Sequence, residues 1–443
     1  MAVAAPPVAP KHIPVLGHVL SLTRDPIGFL QNLRAHGDIV TFYLGTRPVH
    51  QINSPELIRQ VLVTDARHFS RGKIFAKARQ LFGDGLATAD EPAHMRQRRV
   101  MQPAFHHDRI AGYVNVMREQ IDETVGGWVP NKPIMLEQEM AGLTLRVTAK
   151  ALFQADLGQA AVAEVYRSLD PILNGLAKRS MMPVELFERI PTPGNRRFDA
   201  ALRRLLAVVD DVIAAYRAGG VDHGDLLSML VTHVEDDDEV RAQVLNILMA
   251  GTETTATTLS WACHELVRHP DVADRVAAEA ESVLNGRIGG ADPDRMTYVD
   301  RVLTETLRLH TPIWLLMRTA TATVRLGDVT LRPGAEVMVS MPTLHRDPAL
   351  FPDPTRFDPD RWQGQGATDL PRMSFIPFGA GGHKCIGEKF AWAEMTVAVA
   401  AVCARWRLRL RPGHQVREVA RAFLRPNGLP MIPCLVDTAG SAV

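Results

Sequence analysis

Phe378-Gly379-Ala380-Gly381-Gly382-His383-Lys384-Cys385-Ile386-Gly387 sets one cysteine at the end of a glycine-rich turn, directly before a long apolar segment. Glycines at 379, 381 and 382 permit the positive φ values of a tight hairpin or bulge. Glu388 to Trp406 reads as a helix, with an unbroken apolar run from Val397 to Ala404. Cys385 then lies at a helix N-terminus, where the macrodipole and free N–H groups favour a thiolate. A buried thiolate with no second cysteine nearby is a poor zinc site and a good axial ligand for haem iron. The bland alternative is an inert cysteine in a turn, and the rest of the chain weighs against it.

The spacing F-x-x-G-x-H-x-C-x-G resembles the haem-binding signature of the cytochrome P-450 family at every fixed position. In that family the cysteine thiolate pushes electron density toward O–O cleavage. The resemblance implies a mainly α fold with small β-sheets. This is an α-rich triangular prism, with haem b between a distal oxygen-binding helix and the helix after the cysteine loop. Cys385 would be the iron ligand, with Phe378, Gly379, His383 and Gly387 cradling the haem.

A chain of 443 residues with 46% hydrophobic content supports one large helical unit or two to three ordinary domains. The net charge of +1 gives no global field for nucleic acid or membrane. Four cysteines without C-x-x-C spacing suit a reducing cytoplasm. The Ala/Pro-rich start has no signal-peptide or membrane-anchor pattern, which in this family points to a soluble, bacterial-type, monomeric enzyme. One domain over 1–443 is expected, with a β-rich N-terminal lobe near 38–55 and an α-rich haem core over 56–437.

Asp25 to Ala35 reads as a helix, Ile39–Leu44 and Val49–Ile52 as strands, and Pro55 to Val63 as a short helix capped by Ser54. The loop from Phe69 to Thr88 reads equally as a surface loop or, by resemblance, as cover for the distal pocket. His94 and Arg98 share one helical face, while Arg96 and Arg99 point roughly the other way. The resemblance gives the first pair to haem propionates and the second to the proximal surface. Asn195 to Ala218 is amphipathic helix. The apolar connector before it (Met181, Met182, Pro183, Val184, Leu186, Phe187) resembles the family's mobile roof, and Glu235 to Glu239 reads as a solvated turn.

Arg241 to His269 carries Ala250-Gly251-Thr252-Glu253-Thr254-Thr255. Gly251 in mid-helix costs about 1 kcal/mol against alanine, and the threonines add no propensity. A threonine hydroxyl can bond the i−4 carbonyl and open the helix, and for Thr254 that carbonyl is Ala250's. The motif resembles the family's oxygen-activation site, with Glu253 and Thr254 as the acid–alcohol pair and Ala250 beside the groove. Glu305 and Arg308 form E-x-x-R, which the resemblance completes with Arg356 as a buried structural triad. Thr311 to Arg318 reads as a pocket-lining strand in which Arg318 meets a propionate. Strands Val324–Leu326, Val329–Leu331 and Glu336–Ser340 would form a second sheet, and Phe423 to Gly428 a final hairpin touching substrate.

The implied activity is monooxygenation of an apolar small molecule, with O₂ as co-substrate. Electrons would come from NAD(P)H through a separate reductase and an acidic ferredoxin docking at Arg96, Arg99, Lys384 and Lys389. The pocket positions (Leu86, Ile247, Ala250, Ile313, Leu316, Leu424) carry no charge. A terpenoid or other secondary metabolite fits the style of the sequence best, with fatty acids and steroids as alternatives. A peroxygenase would not need the acid–alcohol pair, nor would a haem-thiolate sensor. A Cys385–His383 hydrolase lacks an orienting third group.

Overall fold

A computed structural model describes residues 5–155, 157–181, 190–284, 293–364 and 370–436. The helices of eight residues or more are, in chain order, α1 (Pro26–Leu33), α2 (Lys73–Phe82), α3 (Ala93–Met101), α4 (His107–Gly126), α5 (Leu136–Phe153), α6 (Gln159–Met181), α7 (Pro193–Gly219), α8 (Leu226–His233), α9 (Asp237–Arg268), α10 (Pro270–Leu284), α11 (Thr297–Leu309) and α12 (Glu388–Arg405). Short strands alternate with them at the two ends: β1 (Ile39–Leu44), β2 (Arg47–Ile52), β3 (Phe69–Ser70), β4 (Ile134–Met135), β5 (Leu315–Ala320), β6 (Val324–Leu326), β7 (Val329–Leu331), β8 (Glu336–Ser340), β9 (Trp406–Leu410), β10 (Glu418–Ala420), β11 (Leu424–Pro426) and β12 (Pro430–Leu435). The mainly α expectation holds.

The core is a helical stack around α9. Gly251 lets α5 approach closely, since a Cβ there would lie 2.9 Å from Thr148 Oγ1. On the other side α12 is buried without a break from Ala393 to Cys403. That burial explains the unbroken apolar run, because a helix walled in by α4, α9, α10 and α11 has no solvent face to make polar.

Two expectations about local structure change. Glu336–Ser340 does not pair with its sequence neighbours in a second sheet. It lies at the centre of the first, in the order β1-β2-β8-β5-β3, parallel to β2 and antiparallel to β5. All five of its residues are buried, as a central strand requires; β6 and β7 form a separate hairpin. The β-rich lobe therefore draws on residues from both ends of the chain. Nor is Glu235 to Glu239 a turn. Asp236 caps α9 by accepting from the Asp238 N–H at 3.0 Å, and Asp237, Asp238 and Glu239 form its first turn, where the helix dipole favours carboxylates. The segment expected to roof the pocket, from Met182 to Phe187, lies outside the described residues.

Candidate active site

The cysteine turn closes through the Cys385 N–H, which donates to Phe378 O at 2.9 Å. Gly379 and Gly381 use the positive φ expected of them (72° and 70°), whereas Gly382 does not. A Cβ on Gly381 would sit 2.0 Å from Leu62 O, so glycine is required there by space as well as by φ. Gly387 then opens α12 as its N-cap. Burial pushes the Cys385 thiol up to about 11, against the Gly387 N–H and the charges of Arg98 and Lys384, which pull it down. The thiol faces a cavity of about 420 Å³. Phe378, Gly379, His383 and Gly387 line the same cavity.

Across the cavity runs α9, presenting Ala250, Gly251, Glu253, Thr254 and Thr255. Thr254 Oγ1 donates to Ala250 O at 2.6 Å, the back-bond expected from the sequence. Thr252, Thr258 and Ser260 make the same i−4 bond to Leu248, Thr254 and Ala256. Four side-chain hydroxyls thus share carbonyls of one helix, which stays continuous from Asp237 to Arg268, so the expected opening at Ala250 is not seen. Glu253 is buried beside Thr254.

At one edge of the cavity two arginines and two neutral imidazoles crowd together. Arg71 and Arg318 line it, and burial with little compensating charge lowers both to about 10. His94 and His383 lie with their ring centroids 4.0 Å apart and their planes tilted by 47°. Burial, then Arg71, His94, Arg318 and Arg98, hold His383 down at about 2. His383 Nδ1 and Arg71 Nε are buried without a hydrogen-bond partner among the described residues. Glu91 already meets the two imidazoles, 2.9 Å from His94 Nδ1 and 3.9 Å from His383 Nε2, whereas the partnerless Arg71 Nε and the buried Arg318 leave a place for a further anion. The two propionate carboxylates of a haem would supply it, and the accessible Cys385 in the same cavity would hold the iron. The residues present therefore fit haem. Arg98 stands slightly apart, its Nη1 donating to Lys384 O at 2.7 Å, so it anchors the cysteine turn as well. Arg71 escaped sequence reading because it sits in a loop of mixed charge, and only folding brings it to His383.

Other assignments divide. Ile247, Ala250, Ile313 and Leu316 line the cavity as expected. Leu86 and Leu424 do not, being packed into separate parts of the core. The hairpin contributes Phe423 from its tip instead. The E-x-x-R pair is fully buried and bidentate, Arg308 Nε and Nη2 donating to Glu305 at 2.8 and 2.7 Å. Its third member is Arg361, not Arg356. Arg361 Nε reaches Glu305 Oε1 at 3.3 Å, whereas Arg356 is exposed and offers only its carbonyl, 3.1 Å from Arg308. Trp362 Nε1 adds a further bond to Glu305 at 2.8 Å.

On the outer side of the cysteine turn lies a broad groove between α4, the start of α11 and α12. It shares Pro377, Phe378, Gly379 and Ala380 with the cavity, so the turn itself is the wall between them. Lys384 and Lys389 line the groove, with Arg118, Arg301 and Arg372. Arg99 is exposed but outside that lining. Arg96 turns toward α9 and donates to both oxygens of Glu239 at 2.8 Å. Half of the expected cationic quartet is therefore in the groove, and Arg96 is neutralised elsewhere.

Comparison with known proteins agrees with this geometry. The family model described as cytochrome P-450 matches residues 6–433. The chain is 43% identical over 435 residues to a cyclooctatin synthase of Streptomyces melanosporofaciens, covering 96% of this chain and 95% of that one. It is 42% identical to a cyclooctat-9-en-7-ol 5-monooxygenase of the same organism, over 96% and 94% of the two chains. Identity to a pentalenene oxygenase of Streptomyces avermitilis is 37%, over 94% of each. Among the described residues no helix is long and apolar enough to cross a membrane. A cysteine turn, a threonine-rich helix opposite it and an arginine-lined edge thus meet in a chain whose sequence matches along nearly its whole length, and the protein belongs to the cytochrome P-450 family of haem monooxygenases.

Proposed function

We propose that this enzyme oxidises a polycyclic terpenoid, with Cys385 as the iron ligand and a ferredoxin as the electron donor. The observation that carries the ligand assignment is the accessible thiol of Cys385 facing the same cavity as Thr254 and the arginine-lined edge. Cys385 would hold the iron as its thiolate, the form that a bound metal would favour over the protonated thiol. Arg71, Arg318 and His383, which line the cavity, would hold the propionates, with His94 behind His383 and Arg98 beside the cysteine turn in support. When bound, haem supplies O₂ activation: two electrons and two protons are consumed, one oxygen atom enters a C–H bond and the other leaves as water.

The chain's own part is proton handling and exclusion of water. The Thr254 hydroxyl, held by Ala250 O, is the last donor facing the cavity, and Glu253 on the same turn recharges it. Phe75, Phe82, Ile313, Leu316 and Phe423 keep the substrate side apolar. The terpenoid assignment rests on the relatives, whose names specify terpenoid chemistry.

Reduction would come from NAD(P)H through a reductase and an acidic ferredoxin seated in the outer groove. The wall shared by groove and cavity is the shortest route to the thiolate, and Lys389, Arg118 and Arg372 supply the complementary charge. The reduced, CO-bound absorption spectrum tests the central assignment. A strongly red-shifted Soret band is expected for the native chain and its loss in Cys385→Ser; an unchanged spectrum in that variant removes Cys385 as ligand.

A further inference from the structure

Among the polar groups lining the cavity, Asn246 has a fixed orientation, no part in the proton relay and an acceptor left over. Asn246 lines the cavity from α9 and is only 5% exposed. Its Nδ2 donates to Ala242 O at 2.7 Å and to Phe82 O at 3.3 Å. Both partners are carbonyl oxygens, so only the NH₂ end of the amide can face them and the assignment of O and N is forced. The backbone makes room for this pose, because a Cβ on Gly85 would fall 2.5 Å from Nδ2. Oδ1 is left over, and no described residue donates to it. It is an acceptor on a rigid element, in a largely apolar wall that includes Phe75, Phe82, Ile247, Ile313 and Leu316 as well as Thr88 and Thr148.

We infer that Asn246 Oδ1 accepts a hydrogen bond from a hydroxyl already present on the substrate, so that the enzyme takes an oxygenated polycyclic hydrocarbon and not the bare one. The inference rests on the monooxygenase reading and narrows its substrate class. An acceptor-only atom selects for a donor, so an alcohol satisfies it whereas a ketone or hydrocarbon leaves it unpaired in a largely apolar wall, which is the costly outcome. The position also sets the outcome of oxidation. Asn246 precedes Thr254 by eight residues, about 12 Å along the helix axis. A molecule anchored at Asn246 therefore presents its opposite end to the Ala250–Thr254 turn. New oxygen enters far from the existing hydroxyl. The reaction that supplies this substrate must then be one that leaves a hydroxyl on the carbon skeleton, either a hydroxylation or a cyclisation ended by water.

Two matched sets test this in the holoenzyme: menthane, menthol and menthone, and the larger androstane, androstanol and androstanone. Binding is followed by the low-spin to high-spin absorbance change and, independently, by calorimetry. In at least one set the alcohol is expected to bind about tenfold more tightly than both its ketone and its hydrocarbon. Asn246→Leu should erase that preference while leaving the CO-bound spectrum unchanged. Lack of an alcohol preference in both sets, through equal or through absent binding, overturns the inference, as does a preference that survives in Asn246→Leu. Equal affinity for alcohol and hydrocarbon would mean that Oδ1 binds only water. A chain without the red-shifted CO band would instead fail the monooxygenase reading, so the two failures are distinct.

Discussion

At the scale of single residues, the clearest contrast is between Arg361 and Arg356. Arg361→Ala removes one guanidinium from a fully buried carboxylate that keeps Arg308 and Trp362, and should cost about 1.5–3 kcal/mol, with poorer haem retention. Arg356→Ala should stay within about 0.5 kcal/mol, because that side chain is exposed. Thermal melts and haem content of the two purified variants decide the matter. Thr254→Ala makes a different point. It should bind substrate normally and divert reducing equivalents to H₂O₂, which is measured as product formed per electron consumed; undiminished coupling removes Thr254 from the relay. Glu305 and Arg308 were legible because they are three residues apart on one helix. The choice between Arg356 and Arg361 was not, since both follow the same loop and only the path of that loop decides which turns inward. Asn246 and Arg71 were equally silent, because an amide or a guanidinium means little until folding shows what surrounds it.

At the scale of elements, helix ends and strand limits largely followed local signals, whereas strand partners did not. Glu336–Ser340 was correctly bounded and wrongly paired, because five buried residues specify a central strand without naming its neighbours. The segment joining α11 to the cysteine turn shows how elements are tied together. His345 is fully buried; its Nε2 accepts from the Ile376 N–H at 3.0 Å, which leaves Nδ1–H to donate to Thr311 Oγ1 at 2.9 Å. Burial, then the charges of Arg308 and Arg346, lower its pKa to about 3. The unfolded chain, with an ordinary value near 6.5, takes up this proton more readily than the native one. The stability that neutral His345 contributes is therefore complete above about pH 6.5 and is lost as pH falls toward 3, by up to about 1.4 kcal/mol per pH unit. Denaturant melts from pH 7 to pH 4.5 should show a steeper decline in the native chain than in His345→Asn. Parallel slopes would mean that the imidazole is protonated in the native state.

At the scale of the whole molecule, charge is distributed locally, since fifty basic residues nearly balance forty-nine acidic ones. Association with an acidic electron donor must then depend on the groove alone. Charge reversal at Lys389, which lines the groove, should slow reduction most at low ionic strength and leave substrate binding unchanged. Reversal at Arg96 should do less, because Glu239 already neutralises it. Stopped-flow reduction across a salt series separates the two, and equal effects would shift the docking site toward α3. The central position of β8 carries a further consequence, for synthesis on the ribosome. The edge of β2 at Val49–Gln51 waits for Glu336–Met338, and at ordinary translation rates that interval is roughly 15–60 s. For that time the nascent chain displays an unpaired strand with apolar neighbours, so the yield of this enzyme in a foreign host should depend on how fast the ribosome moves and on which chaperones meet the chain first.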